Sequence, residues 1–369
     1  MLSSARFALV VTLGACGGDD ATDGSEPEPV PLSTQVFDEV VFYDGYAPLV
    51  DEPVPDGVLR LRNDLVARRL GDEVLDGLLQ TLGVDVEIGA RCDNYDRIGA
   101  VNLAFVPAGA TTYVPAEVPH VEVGRFITPF MDKNAPPRRV PYRFDVPHLL
   151  SALTGRGPDT DVWVELEVFG VPYAANEEVD GCAGRNDVFE GSVTLVSDPG
   201  AAPPAFDELL PLAFKSPFND YQDGASDALG VTRRTLPFDF ATDVADAQLV
   251  LIISQHGAAQ GGEEYERREH FVSVDGEPVA TFVPGRNTCE PFRRYNTQPN
   301  GIYGPGTRTR DEWQSFSNWC PGDVIDTRIY PLGAMAQGEH EVVVEVPDAV
   351  FLNDDGTFPL SVYVQSRAR

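Results

Sequence analysis

The sequence predicts an all-β chain folded as antiparallel β-sandwiches. Three observations carry this reading: short segments alternating apolar and polar residues, a hairpin signature, and punctuation by 34 glycines and 31 prolines. DVWVELEVFGV (161–171) sets Val162, Val164, Leu166 and Val168 on one face and Trp163, Glu165 and Glu167 on the other. That period of two is the pattern of a half-buried strand. HFVSVDGEPVATFV (270–283) places Asp275-Gly276 between two such runs, which reads as a type I′ turn. HEVVVEV (340–346) and PLSVYVQS (359–366) are further strands. Helical periodicity is confined to LGDEVLDGLLQTL (70–82) and VPHLLSALTG (146–155), short helices between strands.

At 369 residues, 43% of them hydrophobic, the chain can fill two cores. The proline-rich stretch SDPGAAPPAF (197–206) divides it into one domain over 36–198 and another over 205–369. The N-terminus differs in kind. Arg6, a short apolar run from Phe7, and Leu13-Gly14-Ala15-Cys16 resemble a bacterial lipoprotein signal, with 1–15 removed and Cys16 lipidated. Residues 16–35, rich in glycine, acid and proline, read as a flexible tether. An exported protein, lipid-anchored at the bacterial cell envelope, is the expectation.

The net charge of −31 repels nucleic acid and anionic membrane surfaces. No apolar stretch reaches the roughly 18–20 residues that span a bilayer, so membrane contact is expected through the lipid alone. His120, His148, His256, His270 and His340 are scattered without metal-ligand spacing, and no C-x-x-C pair occurs. P-loop, dinucleotide and G-x-S-x-G signatures are missing too, so neither metal nor cofactor is expected. Acids remain as the abundant catalytic candidates. Asp96 sits in a polar knot, CDNYDR (92–97), between two apolar stretches, with Tyr95 and Arg97 beside it. Glu167 shares a strand face with Trp163, and Glu264 follows the loop QHGAAQGG and precedes Tyr265. A carboxylate beside an aromatic ring suits a sugar, whose apolar face stacks while its hydroxyls hydrogen-bond. Cysteines number five; lipid on Cys16 leaves Cys92, Cys182, Cys289 and Cys320, which allow three pairings.

The motifs CDNYDR (92–97), VGRFITPF (123–130), EEYERREH (263–270) and NWCPG (318–322), in this order, resemble the bacterial peptide-N-glycosidase F family. The resemblance covers residues 36–369 and implies two eight-stranded jelly rolls side by side, with the active site at their interface. It puts the family's catalytic aspartate on Asp96, its two glutamates on Glu264 and Glu167, and leaves Glu165 as a neighbour of Glu167 on one face. Asp96 is then the primary acid/base group, with Glu264 and Glu167 orienting water and the first sugar. Substrate-binding positions fall on Arg97, Tyr95, Tyr265, His256 and Trp319. Arg97 is expected to hold Asp96 ionised and aimed, and Asp93 only to support the turn. The resemblance pairs Cys289 with Cys320, leaving Cys92 to Cys182.

Departures are specific. Gly262 and Glu266 replace two cysteines, Gln255 replaces a tryptophan, and Phe316 stands where the family has an arginine, a gap that Arg308 or Arg310 could fill. The implied function is hydrolysis of the amide between N-acetylglucosamine and asparagine, by a monomer acting on N-glycosylated proteins or glycopeptides. The alternative is a glycan-binding surface lipoprotein on the same scaffold without turnover. A copper monooxygenase of paired jelly rolls is excluded by the scattered histidines, with Met131 and Met335 as the only methionines past the signal.

Overall fold

The computed structural model describes residues 31–219, 227–258, 262–298, 303–314, 318–352 and 355–369, so Cys16 and Phe316 lie outside the described residues. The first sandwich contains β1 (Leu32–Tyr43), β2 (Val58–Arg62), β3 (Leu65–Arg69), β4 (Gly83–Ala90), β5 (Ile98–Pro107), β6 (His120–Ile127), β7 (Arg139–Asp145), β8 (Thr160–Val168) and β9 (Asp187–Ser197). Its sheets run β1-β9-β4-β7 and β2-β3-β8-β5-β6. The second contains β10 (Glu208–Pro217), β11 (Arg233–Phe240), β12 (Val244–Ile253), β13 (His270–Val274), β14 (Glu277–Phe282), β15 (Arg328–Pro331), β16 (Gly338–Glu345) and β17 (Pro359–Ala368). Its sheets run β10-β17-β12-β15 and β11-β16-β13-β14. In each sandwich the chain passes back and forth between sheets, so the last strand lies between two early ones. That order is a jelly roll.

Among the described residues the second sandwich has eight strands. The first carries a ninth, β2, because VLRLRNDLVARR folds back on itself and pairs β2 with β3 at the sheet edge. The expected turn at Asp275-Gly276 forms, with φ of 52° and 80°, and joins β13 to β14. The helical segments are short, Asp72–Asp76 and Leu150–Thr154. Each sandwich has its own core, around Phe42, Ile88 and Phe189 in the first and Leu251, Val344 and Phe358 in the second.

One expectation fails for a physical reason. The alternation in β8 predicts a polar face in water, yet Trp163 and Glu165 are as buried as the valines opposite them. Residues of the first sandwich itself cover that face, Tyr113 meeting Trp163 edge-on and bonding Glu165, while the neighbouring strand β6 meets β10, β12 and β17 of the second sandwich. The interface is held by charge. Arg125, fully buried, donates to both carboxylate oxygens of Glu122 at 2.8 and 2.7 Å, and reaches across to Ser254 Oγ and the Pro359 carbonyl, each at 2.7 Å. Ser361 of β17 donates back to Glu122.

The two disulfides are those the resemblance implies, Cys92–Cys182 and Cys289–Cys320, with Cα separations of 5.5 and 5.4 Å. The second tethers an arm that crosses to the first sandwich. Asn296 Oδ1 accepts from the Phe130 amide at 3.0 Å, and Thr297 Oγ1 from the Asp132 amide at 2.9 Å.

Candidate active site

The polar knot that interrupts the apolar run before β5 is built around Asp93. Its carboxylate is buried and accepts from the Tyr95 amide (2.9 Å), the Val171 amide (2.8 Å) and Arg97 Nε (2.7 Å), with Arg97 Nη2 at 3.3 Å. An aspartate bonding the amide two residues on forms a local turn. Thr128, from the VGRFITPF segment, closes it: its hydroxyl accepts from the Arg97 amide at 2.7 Å and donates to the Tyr95 carbonyl at 3.2 Å. Cys92, at the base of the knot, is locked by its disulfide. The turn leaves Asp96 half-buried and Tyr95 exposed, while Arg97 is paired with Asp93. The expectation that Arg97 aims Asp96 is therefore corrected. Arg97 and Asp93 hold each other, and together they hold the turn that delivers Asp96.

Asp93 is accordingly more than a turn former. Asp93→Ala strands the guanidinium and two amides, and should destabilise the protein by about 3 kcal/mol while lowering activity with it. Thermal unfolding of the variant beside wild type checks this; an unchanged midpoint would refute it.

Glu264 comes from the second sandwich, in a 3-10 turn at Glu263–Tyr265. Its neighbour Glu263 is buried, accepts two bonds from Arg268 and one from the Val350 amide, and anchors the turn. The turn closes on Gly257: the Glu264 amide donates to the Gly257 carbonyl at 3.3 Å, and the Gly257 amide approaches Glu264 Oε2 at 3.4 Å. A Cβ at Gly262 would lie 2.1 Å from that carbonyl, so only glycine allows this closure. Asn318 staples the assembly, donating from Nδ2 to the Glu264 carbonyl (2.8 Å) and the Gln255 carbonyl (3.0 Å).

The two acids are electrostatically joined. Burial raises Asp96 well above the ordinary carboxyl range, and the nearby charge of Glu264 raises it further against the pull of Arg97. Burial lifts Glu264 to about 7; the Gly257 amide and Tyr265 oppose the shift and Asp355 adds to it. Both carboxyls therefore hold a proton to higher pH than ordinary carboxyls do. Tyr95 and Tyr265, each more than a third exposed, stand beside them from opposite sandwiches, and Tyr265 hydrogen-bonds Glu264.

The remaining candidates sit differently. Glu167 accepts from Arg62 at 2.7 Å and from Lys215 of the second sandwich. Burial pushes its carboxyl up, but Lys215 and then Arg62 outweigh this and bring it to about 2. It is a permanent anion bridging the domains, unsuited to carry a proton at neutral pH. Glu165, its neighbour, is buried under bonds from Asn102, Tyr113 and His120. His256 and Trp319 are buried, stacked at 5.8 Å, and lie beneath the loop instead of lining its surface. Burial, then Arg125, lowers His256 to about 3, so it is neutral and bonded to Ser254. Gln255 is buried with neither side-chain amide atom bonded. Sequence reasoning missed Asn318 and Asp355. Asn318 lies inside the NWCPG motif, next to the tryptophan that drew attention; Asp355, one acid among many, carries no sequence signal.

Fold and site together define a two-domain jelly-roll protein in which each domain contributes one carboxyl raised above its ordinary range. Two family models match the chain, peptide-N-glycosidase F, N terminal, over residues 33–182, and peptide-N-glycosidase F, C terminal, over residues 226–365. The chain belongs to the peptide-N-glycosidase F family. Among solved structures it is similar to PNGF-II, with a TM-score of 0.68 at 18% identity over 92% of this chain and 66% of that one. It is also similar to peptide-N(4)-(N-acetyl-β-D-glucosaminyl) asparagine amidase, with a TM-score of 0.58 at 17% identity over 92% and 96% of the two chains. A third is PNGase F, a glycosylasparaginase from Flavobacterium meningosepticum, with a TM-score of 0.57 at 16% identity over the same shares. At these identities the likeness is one of fold. The chain spans slightly less than two thirds of the PNGF-II length. A comparison with curated protein sequences finds no match.

Proposed function

We propose that the protein hydrolyses the amide joining N-acetylglucosamine to asparagine in N-glycoproteins or glycopeptides, leaving aspartate in the peptide. The observation that carries this reading is the pair Asp96 and Glu264, one from each sandwich, with both carboxyls raised. An amide resists water because its carbonyl is a weak electrophile and its nitrogen a poor leaving group. In the proposed reaction the ionised carboxyl of the pair takes a proton from water, and the oxygen adds to the asparagine side-chain carbonyl carbon. The carbon–nitrogen bond then breaks as the protonated carboxyl of the pair gives its proton to the departing nitrogen, which leaves as the glycosylamine. Tyr95 and Tyr265 flank the first sugar, and Glu167, fixed as an anion by Lys215 and Arg62, keeps the two sandwiches in register.

The test is incubation of the purified protein with an N-glycopeptide in heavy-oxygen water, followed by mass spectrometry. Conversion of asparagine to aspartate with one heavy oxygen incorporated supports the reading, and intact glycopeptide refutes it. A second reading, glycan binding without turnover, is favoured by Gln255, whose unbonded amide fills a position where the family has tryptophan; it expects the glycopeptide to be retained uncleaved.

Export and lipid anchoring through Cys16 belong to the same proposal. Cys16→Ser should move the protein from the membrane fraction to the soluble fraction on cell fractionation. A wild-type protein already soluble would end the anchor reading.

A further inference from the structure

We propose that the first sandwich carries a second sugar subsite, an aromatic platform of Tyr46 and Tyr173 that receives neutral hexose rings of the glycan beyond its first sugars. The inference deepens the amidase reading and rests on it for the identity of the substrate. Tyr46 is 74% exposed and Tyr173 58%, two of the largest apolar exposures on the described surface. Exposed aromatic rings held in place on a soluble protein mark a binding surface more often than isolated aliphatic residues do.

The rings are held. Tyr46 makes an edge contact with Phe169, centroids 5.3 Å apart and planes at 72°, which fixes its plane and leaves most of the side chain in water. A Cβ at Gly45 would lie 2.7 Å from the Phe169 ring, so this approach requires glycine. Asp44 accepts from the Tyr46 amide at 3.0 Å, and the Gly45 amide donates to the Gly170 carbonyl at 2.9 Å, joining the Tyr46 turn to the segment that leads to Tyr173. Behind them Asn63, buried, donates to the carbonyls of Asp44, Ala47 and Pro48 and accepts from the Val50 amide. A loop clamped at four points loses little freedom when a ligand settles on it.

The platform is continuous with the proposed active site. The Phe169 amide donates to the Ile98 carbonyl, two residues from Asp96, at 3.2 Å, and the Val171 amide donates to Asp93. A chain of sugars leaving Asp96 on this side therefore passes over Phe169 onto Tyr46 and Tyr173. Sugar rings fit such a surface because their apolar C–H faces stack on aromatic rings. The net charge of −31 disfavours acidic sugars and selects neutral ones.

Calorimetric titration of the purified protein with a free neutral high-mannose oligosaccharide and with chitobiose tests the subsite without requiring turnover. Wild type is expected to bind the longer oligosaccharide about tenfold more tightly than chitobiose. Y46A/Y173A should lose that gain, keep its affinity for chitobiose and unfold at the wild-type temperature, since both side chains are exposed. Equal affinity of wild type and the double variant for the longer oligosaccharide overturns the proposal, as does displacement of that oligosaccharide from wild type, but not from the double variant, by an unglycosylated peptide. The amidase reading is scored separately on glycopeptide cleavage. An intact glycopeptide with length-dependent binding refutes that reading alone, and cleavage without length dependence refutes the platform alone.

Discussion

Asp96→Asn is expected to lower turnover of an N-glycopeptide by about 10²–10⁴-fold while leaving its affinity within a few-fold of wild type. The substitution preserves shape and hydrogen-bonding reach and removes only the titrating carboxyl. Steady-state and single-turnover kinetics separate the two effects; wild-type turnover in the variant would sink the assignment. The pH dependence adds an independent check. Turnover should peak where the pair holds one proton, falling at lower pH as both carboxyls protonate and at higher pH as both ionise. Both groups bind a proton more tightly folded than unfolded, since burial raises each of them. The sign of the linkage follows: stability falls as pH rises above the ordinary carboxyl range of about 4, the Glu264 share being lost through about 7 and the Asp96 share in the same direction. Glu264→Gln removes its own share of this fall and relieves Asp96 of a like charge, so the acid limb of any remaining activity moves to lower pH.

Arg125→Ala should destabilise the protein by about 3–5 kcal/mol, because it leaves Glu122 ionised in the interface without a counter-charge. Burial pushes the Glu122 carboxyl up, and Arg125 overcomes this to hold it below its ordinary value. Activity should fall with stability, since Arg125 also fastens β6 to Ser254 and to the Pro359 carbonyl across the interface. The double variant Glu122→Gln, Arg125→Met removes both charges and should recover much of the loss. Denaturant titrations of the three proteins decide; a double variant no better than Arg125→Ala would show that the unpaired charge is not the cause.

The sandwiches were legible because strand alternation and turn chemistry are local. Asp275-Gly276 needs only its own backbone preferences to make a hairpin, and it does so. The second face of β8 was not legible, because Glu165 and Glu167 look like solvent-facing residues until Tyr113 and His120 close over the first and Lys215 of the second domain reaches the other. The same blindness affected the site. A motif placed Asp96 and Glu264, but nothing in the order of residues 92–97 says that Arg97 turns toward Asp93. That choice depends on the amides of Tyr95 and Val171 converging on one carboxylate, a fact of three-dimensional closure. Glu167 was placed by strand position, and its cation partners, Arg62 and Lys215, come from distant segments and from both domains. Asn318 is the clearest omission: a small amide whose value lies in the two carbonyls that meet it.

The stretch between Ser197 and Glu208 connects two halves that each supply one carboxyl. A short connection of this kind holds each half at roughly millimolar effective concentration around the other. The docking surface can then be polar and modest in strength and still remain assembled. A chain cut within that stretch would keep both folded halves, but each encounter would have to occur by diffusion. Its rate law would gain a second protein concentration, turning a unimolecular catalyst into a dimerising one.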